Sequence, residues 1–490
     1  MVDIRGITLY LGILMLAATN LVESLKPPSF VSSWSYIETD TFNNVNITHN
    51  MNSLPAKVEV QIKAIDGPNK SFIFPGTSAT QNDDDDLVIR GGAIYMYNEN
   101  DILIFSGIGT DARIIYTGSS ENRIGPNVQS SISGQARARV WSACDFPKPD
   151  FSSDWFEIAT HDGNFMTSNP PFKEINHNLG VHPAYVSVQV QILEGVFAGY
   201  YFDGIGRFNS AMDIVLFEVS KFNYSDTRTC MVDSSSQYLN NAGVLYAYNE
   251  TTVRMWMPKN KLGCLFGLID GWGTFLRGKA KQGKARVLAW KTIGETVMET
   301  STAYGDGVAN EDYEIAVKRN EISKEVLIIV EVEAKDGDNK DFRFTGTGAA
   351  MEDPNNDGNY GGIIYSFNET SVRIWIPSDT NNQGFIAFVG GKWGGFYSQA
   401  SNAVDIVFKV WELHEQDQGP CANNACLLTP SGYSCSCCSF SPEFCSDLFR
   451  EIQMNIICLN QRPPDNVSIQ KFTTSSPVQC SNDLSFFYTS

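Results

Sequence analysis

One pattern recurs three times along this chain, and that repetition limits the possible folds more than any other feature. Val60-Gln61-Ile62-Lys63 returns as Val188-Gln189-Val190-Gln191 and as Val330-Glu331-Val332-Glu333. Each stretch alternates apolar and polar residues and then meets an acidic residue and a glycine: Asp66-Gly67, Glu194-Gly195, Asp336-Gly337. Such a stretch reads as a half-buried strand entering a hairpin. A second block, Gly92-Ala93-Ile94-Tyr95-Met96-Tyr97-Asn98-Glu99, matches Gly243 to Glu250 and Gly362 to Glu369. It reads as strand, Asn-Glu turn, strand. Val140-Trp141, Ala289-Trp290 and Val410-Trp411 close the copies. An alternating apolar strand before each of these tryptophans makes it a core residue.

The copies span 28–143, 148–291 and 292–413. Many short strands, turn residues between them and no helical period predict an all-β chain. The expected architecture is three tandem antiparallel β-sandwich-like repeats followed by a small disulfide-rich module. Copy two carries extra sequence at about 205–240. Asn209-Ser210-Ala211-Met212-Asp213-Ile214-Val215-Leu216-Phe217 echoes the closing strand Ser401–Phe408, so 148–222 reads either as a shortened fourth unit or as a long loop.

The ends place the protein outside the cell. Residues 1–24 read as a signal peptide, with Arg5, an apolar run from Ile7 to Ala18 and cleavage after Ser24. The run is shorter than the roughly 20 residues a spanning helix needs. Six N-x-S/T sequons, at Asn46, Asn69, Asn223, Asn249, Asn368 and Asn466, are candidate glycosylation sites. Eight of the 11 cysteines lie between Cys421 and Cys480, a density that suits an oxidising compartment. Those disulfide candidates are Cys421, Cys426, Cys435, Cys437, Cys438, Cys445, Cys458 and Cys480; their pairing is open. Upstream, Cys230 and Cys264 are a candidate pair, with Cys144 left over.

The chemistry expected is binding, not turnover. A net charge of −19 argues against a general nucleic-acid binder. With only five His and no nucleophile elbow, phosphate loop or zinc helix, no catalytic residue is assigned. His49-Asn50 aligns with His177-Asn178, but copy three has Arg319-Asn320, which disfavours a shared base or ligand. No cofactor is required; calcium is the one candidate. Asp353, Asn355 and Asp357 alternate as oxygen ligands before Gly358, as in the first half of an EF-hand loop, although Ile364 occupies the twelfth position. Asp83, Asp84, Asp85 and Asp86 form the matching acidic run in copy one. A glycan-binding alternative uses Trp272 and Trp393 beside glycines.

The Val186-Ser187-Val188-Gln189-Val190 strand, the block from Gly361 to Thr370 and Trp393-Gly394-Gly395 resemble tandem repeats of secreted marine-invertebrate proteins, of the coral skeletal organic matrix type. The likeness covers about 28–413 and carries no established active site. Cys421-x4-Cys426-x8-Cys435-x-Cys437 with Gly432-Tyr433-Ser434 resembles a degenerate EGF-like segment within 421–480. Asn178 to Val186 is faintly similar to H-type lectins. These resemblances imply a secreted acidic glycoprotein of an extracellular or mineralised matrix, acting by multivalent weak contacts with matrix components, mineral or glycans. The alternative is a multivalent lectin for cell-surface or microbial glycans. No nucleic-acid partner and no membrane span are expected.

Overall fold

The computed structural model describes residues 25–414 apart from 40–43, 78–89, 109–111, 119, 121–122, 161–170, 206–241, 259–263, 269–277, 305–313, 318–324, 348, 350–359, 379–383, 391–392 and 394–395, together with 426–429 and 432–435. Every regular element among these residues is a strand.

Each repeat builds the same parts. A long strand (Lys57–Lys63, Tyr185–Ile192, Val326–Ala334) turns at the acidic-Gly pair into a short return strand (Ile73–Pro75, Tyr201–Asp203, Arg343–Thr345). The glycine of that turn has φ near 70° in every copy, a region open to glycine at little cost. A Cβ on Gly67 would also lie 3.0 Å from the Gln129 side chain. The second block forms a tight hairpin: Ala93–Tyr97 with Asp101–Ser106, Leu245–Tyr248 with Thr252–Trp256, and Ile364–Phe367 with Ser371–Pro377. Its turn is held by one asparagine. Asn249 Oδ1 accepts from the Thr251 and Thr252 amides, Asn368 Oδ1 from Thr370 and Ser371, and Asn98 Oδ1 from Asn100 and Asp101. A closing strand (Ser133–Trp141, Gln282–Trp290, Val404–Glu412) pairs along the long strand.

The three repeats do not fold as three separate sandwiches. The sheet containing the long strand of repeat 1 continues through Ile73–Pro75 into the hairpin of repeat 3. The sheet of repeat 2 continues into the hairpin of repeat 1, and that of repeat 3 into the hairpin of repeat 2. The junction uses the same register each time: Ile73 faces Phe367, Tyr201 faces Tyr97, and Arg343 faces Tyr248. Three large open sheets therefore link the repeats in a cycle with pseudo-threefold order. None of them closes on itself, and the expected tandem arrangement is corrected on this point.

The exchange explains a pattern in the sequence. A hairpin shared between two neighbours is buried on both faces, so it need not alternate. In Ala93–Tyr97 every residue is buried. Tyr95 and Tyr97 enter the core of repeat 1, while Ile94 and Met96 enter that of repeat 2. Leu245, Ala247 and Trp256 likewise leave repeat 2 for the core of repeat 3. Each of the larger aliphatic side chains among these, Ile94, Met96 and Leu245, contributes about 1.5–3 kcal/mol to a seam between repeats. A fourth apolar cluster draws on all three copies, with Trp141, Trp290 and Trp411 fully buried and Phe146 edge-on to Trp141 and Trp290.

The expected disulfide-rich module is also corrected. What is described of 421–480 is a two-stranded hairpin, Cys426–Thr429 with Gly432–Cys435, and among these described residues no disulfide-rich module is built. In the repeats, Cys144 and Cys264 each take part in a disulfide, and Cys230 lies outside the described residues. Residues 206–241, which hold nearly all of the insertion and the whole Asn209–Phe217 echo, also lie outside the described residues, while Tyr185–Ile192 and Tyr201–Asp203 within 148–222 are the long and return strands of repeat 2 itself.

Candidate functional site

The cycle of sheets frames a partly open cavity of about 120 Å³. Its wall repeats threefold, because each repeat supplies the same positions from its long strand, return strand and hairpin. Tyr95, Tyr246 and Tyr365 are the hairpin's share. The long strands supply Lys57, Tyr185 and Leu327 at one level and Glu59, Ser187 and Ile329 at the next. The return strands supply Pro75, Asp203 and Thr345. The backbone is thus threefold but the chemistry is not. Repeats 1 and 2 bring charged side chains, Lys57, Glu59 and Asp203, where repeat 3 brings Leu327, Ile329 and Thr345.

Those ionisable groups satisfy one another. Asp203 accepts from the Tyr95 hydroxyl at 3.0 Å and the Tyr97 hydroxyl at 2.9 Å. Lys57 Nζ donates to the Tyr185 hydroxyl at 3.1 Å and lies 4.3 Å from the centre of that ring. Glu59 accepts from Arg139 Nε at 2.8 Å and Gln61 Nε2 at 3.0 Å. Burial pushes Asp203 above the usual carboxylate range, against the pull of the two tyrosines and Lys57. Burial lowers Lys57, with Glu59 and Asp203 opposing. Burial alone would raise Glu59, but Arg139 and Lys57 outweigh it and hold it low.

Further pairs of the same kind lie between repeats. Lys409 Nζ sits 2.7 Å from Glu331, donates to the Pro183 and Ala184 carbonyls, and reaches the Tyr248 hydroxyl, which itself donates to Glu331. Arg286 donates twice to Gln189 Oε1, and Gln189 Nε2 donates to Tyr97. These networks were missed from sequence. Their signal was available: a charge at Lys57, Glu59 or Glu331 stands in strands where another copy carries Leu327, Ile329 or Gln61.

The residues singled out from sequence fare unevenly. Asp83, Asp84, Asp85, Asp86, Asp353, Asn355, Asp357 and Trp272 lie outside the described residues. Among the described residues no group of three His, Cys, Asp or Glu is placed to hold a metal. Trp393 is only 4% exposed and packs in the core of repeat 3, so its ring is not a glycan platform. Asn69 is fully buried; its amide donates to the Asn127 carbonyl at 3.0 Å and its Oδ1 accepts from Arg373 at 2.8 Å. That sequon has no room for a glycan in this fold. Asn46 is exposed, Asn249 and Asn368 are half-buried at their turns, and Asn223 and Asn466 are outside the described residues. Cys426 and Cys435 are cross-strand neighbours, and the other six cysteines of the tail are not described. His49 and His177 are buried turn residues whose Nδ1 atoms accept from the Met51 and Leu179 amides.

No family model, no curated protein and no solved structure matches this chain. The likeness to coral skeletal matrix repeats therefore rests on no relative, and the matrix, biomineralisation and glycoprotein attributes drawn from it lose their basis. The EGF-like reading is corrected for the same reason, together with the bare hairpin described in that segment.

Proposed function

We propose that the chain is a non-catalytic binding protein that works outside the cell through several weak contacts made at once. The carrying observation is the cyclic sharing of sheets, which fixes three copies of one unit in a single body. Loops that repeat along the sequence are thereby presented at set separations, the geometry from which avidity arises without strong individual contacts. The buried charges support this reading, because each is tied to a polar group of a neighbouring repeat: Lys57 to Tyr185, Asp203 to Tyr95 and Lys409 to the Ala184 carbonyl. The extracellular placement is drawn from the N-terminal apolar run and the cysteine-dense tail.

The test is retention of the full chain, expressed through a secretory pathway, on surfaces carrying extracellular polysaccharide or protein at graded density. Multivalent contact predicts that retention collapses faster than density as the surface is thinned. Retention simply proportional to density would sink the reading, as would an N-terminus that is still Met1 on protein recovered from cells.

A further inference from the structure

Two seams between repeats are built from the same station, and one of them carries groups the station does not need. At the seam of repeats 1 and 3, Arg373 donates to the Pro68 carbonyl and Asn69 Oδ1 and pairs with Glu314 at 3.1 Å. Gln129 Oε1 accepts from the Asn69 amide, and Trp375 Nε1 donates to the Pro126 carbonyl. At the seam of repeats 2 and 3, Arg254 donates to the Asp338 carbonyl and Asn339 Oδ1 and pairs with Glu174 at 3.0 Å. There Gln399 Oε1 accepts from the Asn339 amide, and Trp256 Nε1 donates to the Phe396 carbonyl.

The hydrogen bonds match one for one, but the side chains outside them differ. Where the first seam has Pro126 and Asn127, the second has Phe396 and Tyr397. Phe396 is 58% exposed and Tyr397 is 39% exposed. With Phe172 they form a cluster, at ring separations of 5.8 Å and 5.3 Å from it. Tyr397 also has φ of 52°, a left-handed conformation that is rare and costly for a bulky residue. Its station makes it hold that conformation: its carbonyl accepts from Asn339 Nδ2 at 2.7 Å, and its ring lies 3.7 Å from the Arg254 guanidinium. Asn127, its counterpart, accepts the equivalent bond from Asn69 without a positive φ. Strain retained where the fold has an unstrained solution at hand points to a ligand site.

We infer that Phe172, Phe396 and Tyr397 form a platform for one neutral hexopyranose unit of an extracellular glycan. Aromatic rings offer a flat apolar surface to the C–H face of a sugar. The Glu174 carboxylate at the edge, 38% exposed, accepts its hydroxyls. Glu174 is paired with Arg254, so the platform is close to electrically neutral, which selects uncharged sugars over sulfated or sialylated ones. This inference rests on the binding reading above and names its ligand class.

The experiment passes the full chain over chitin, mannan-agarose, galactan-agarose and heparin-agarose, beside F396A and Y397N; the second substitution installs the residue of the other seam. The expected result is retention on at least one neutral matrix, elution by its free monosaccharide, and at least a tenfold weaker interaction for each variant with an unchanged melting midpoint. Three results would overturn the inference: no retention of the wild type on any neutral matrix, retention only on heparin, or retention that survives both substitutions. Density-dependent retention on other extracellular material, unaffected by the two variants, would remove the platform and leave the multivalent reading standing.

Discussion

The seam between repeats 1 and 2 solves the same problem as the other two with opposite chemistry. Arg254 and Arg373 are replaced there by Leu103, and their carboxylate partners Glu174 and Glu314 by Asn46, which faces Leu103 across the strands. The buried Asn69 and Asn339 are replaced by Phe197. Three positions on three different elements have changed together. Phe197 is 5% exposed and meets Phe105, Tyr200 and Phe266 at 5.7–6.1 Å between ring centres. The comparison teaches that the fold accepts either a fully satisfied polar clasp or an apolar plug with an exposed asparagine at its rim. A mixture would leave a buried polar group without its partner, which costs more than either complete solution.

The largest effect is expected from emptying the apolar seam. Phe197→Ala removes a ring that nothing else fills, and should lower the unfolding free energy of the full chain by roughly 3–5 kcal/mol. The loss should be insensitive to salt, because no charge is involved. Denaturant titration at two ionic strengths checks both statements, and a loss below about 1 kcal/mol would show that the seam does not rely on this residue.

A somewhat smaller effect is expected from spoiling the polar clasp by one member. Arg373→Leu leaves Asn69 Oδ1 and the Pro68 carbonyl without their donor, at a cost of roughly 2–3 kcal/mol. Adding Asn69→Phe and Glu314→Asn converts the seam to the solution used between repeats 1 and 2. The triple variant should recover to within about 1 kcal/mol of the wild type. Recovery of that kind cannot come from additive single effects, so a triple variant as weak as the sum of its parts would break the comparison.

The reverse experiment should cost less. Leu103→Arg places a cation opposite Asn46 and beside Phe197, neither of which supplies a carboxylate. Leu103 is only half-buried, so the guanidinium can reach water at its rim, and a loss of about 1–2 kcal/mol is expected. Asn46→Glu added to it should return part of that loss, and the return should shrink as salt is raised. A double variant no more stable than Leu103→Arg alone would count against the assignment of position 46 as the partner.

How far this could be read from the sequence depends on which kind of information each feature carries. The repeats, the acidic-Gly turns, the Asn turns and the core role of Trp141, Trp290 and Trp411 follow from local spacing, and all were legible. The exchange of hairpins was not, because the partner of an edge strand is set by tertiary contacts and not by its own periodicity. One clue was present: Ala93–Tyr97 and Leu245–Tyr248 are apolar without alternation, as a strand buried on both faces must be. The site was less legible still. Trp393 looks like a surface tryptophan among glycines yet packs inside, whereas the exposed rings, Phe396 and Tyr397, differ from their counterparts only at positions that a strand pattern does not score. Asn69 carries a sequon but serves as an internal clasp, a role visible only once Arg373 from the far end of the chain is brought to it.

The smallest expected effect separates the hairpins by acidity. His49 in repeat 1 and His177 in repeat 2 stand beside the hairpin turns, and burial lowers both below the ordinary histidine value of 6.5. The cause is geometric as well as dielectric. Nδ1 of each ring accepts a backbone amide, so a proton added there would face a donor. A group whose folded pKa is depressed contributes its full stability above 6.5, and that stability is lost as pH falls through the folded value. Repeat 3 has Arg319 at this position, so the hairpins of repeats 1 and 2 should soften in acid while that of repeat 3 does not. The melting midpoint of the wild type should therefore drop between about pH 7 and about pH 5 by more than that of a His49→Gln, His177→Gln variant. Amide exchange should place the extra loss in Ala93–Ser106 and Leu245–Trp256 and spare Ile364–Pro377. Parallel pH curves for the two proteins would show that these rings are spectators.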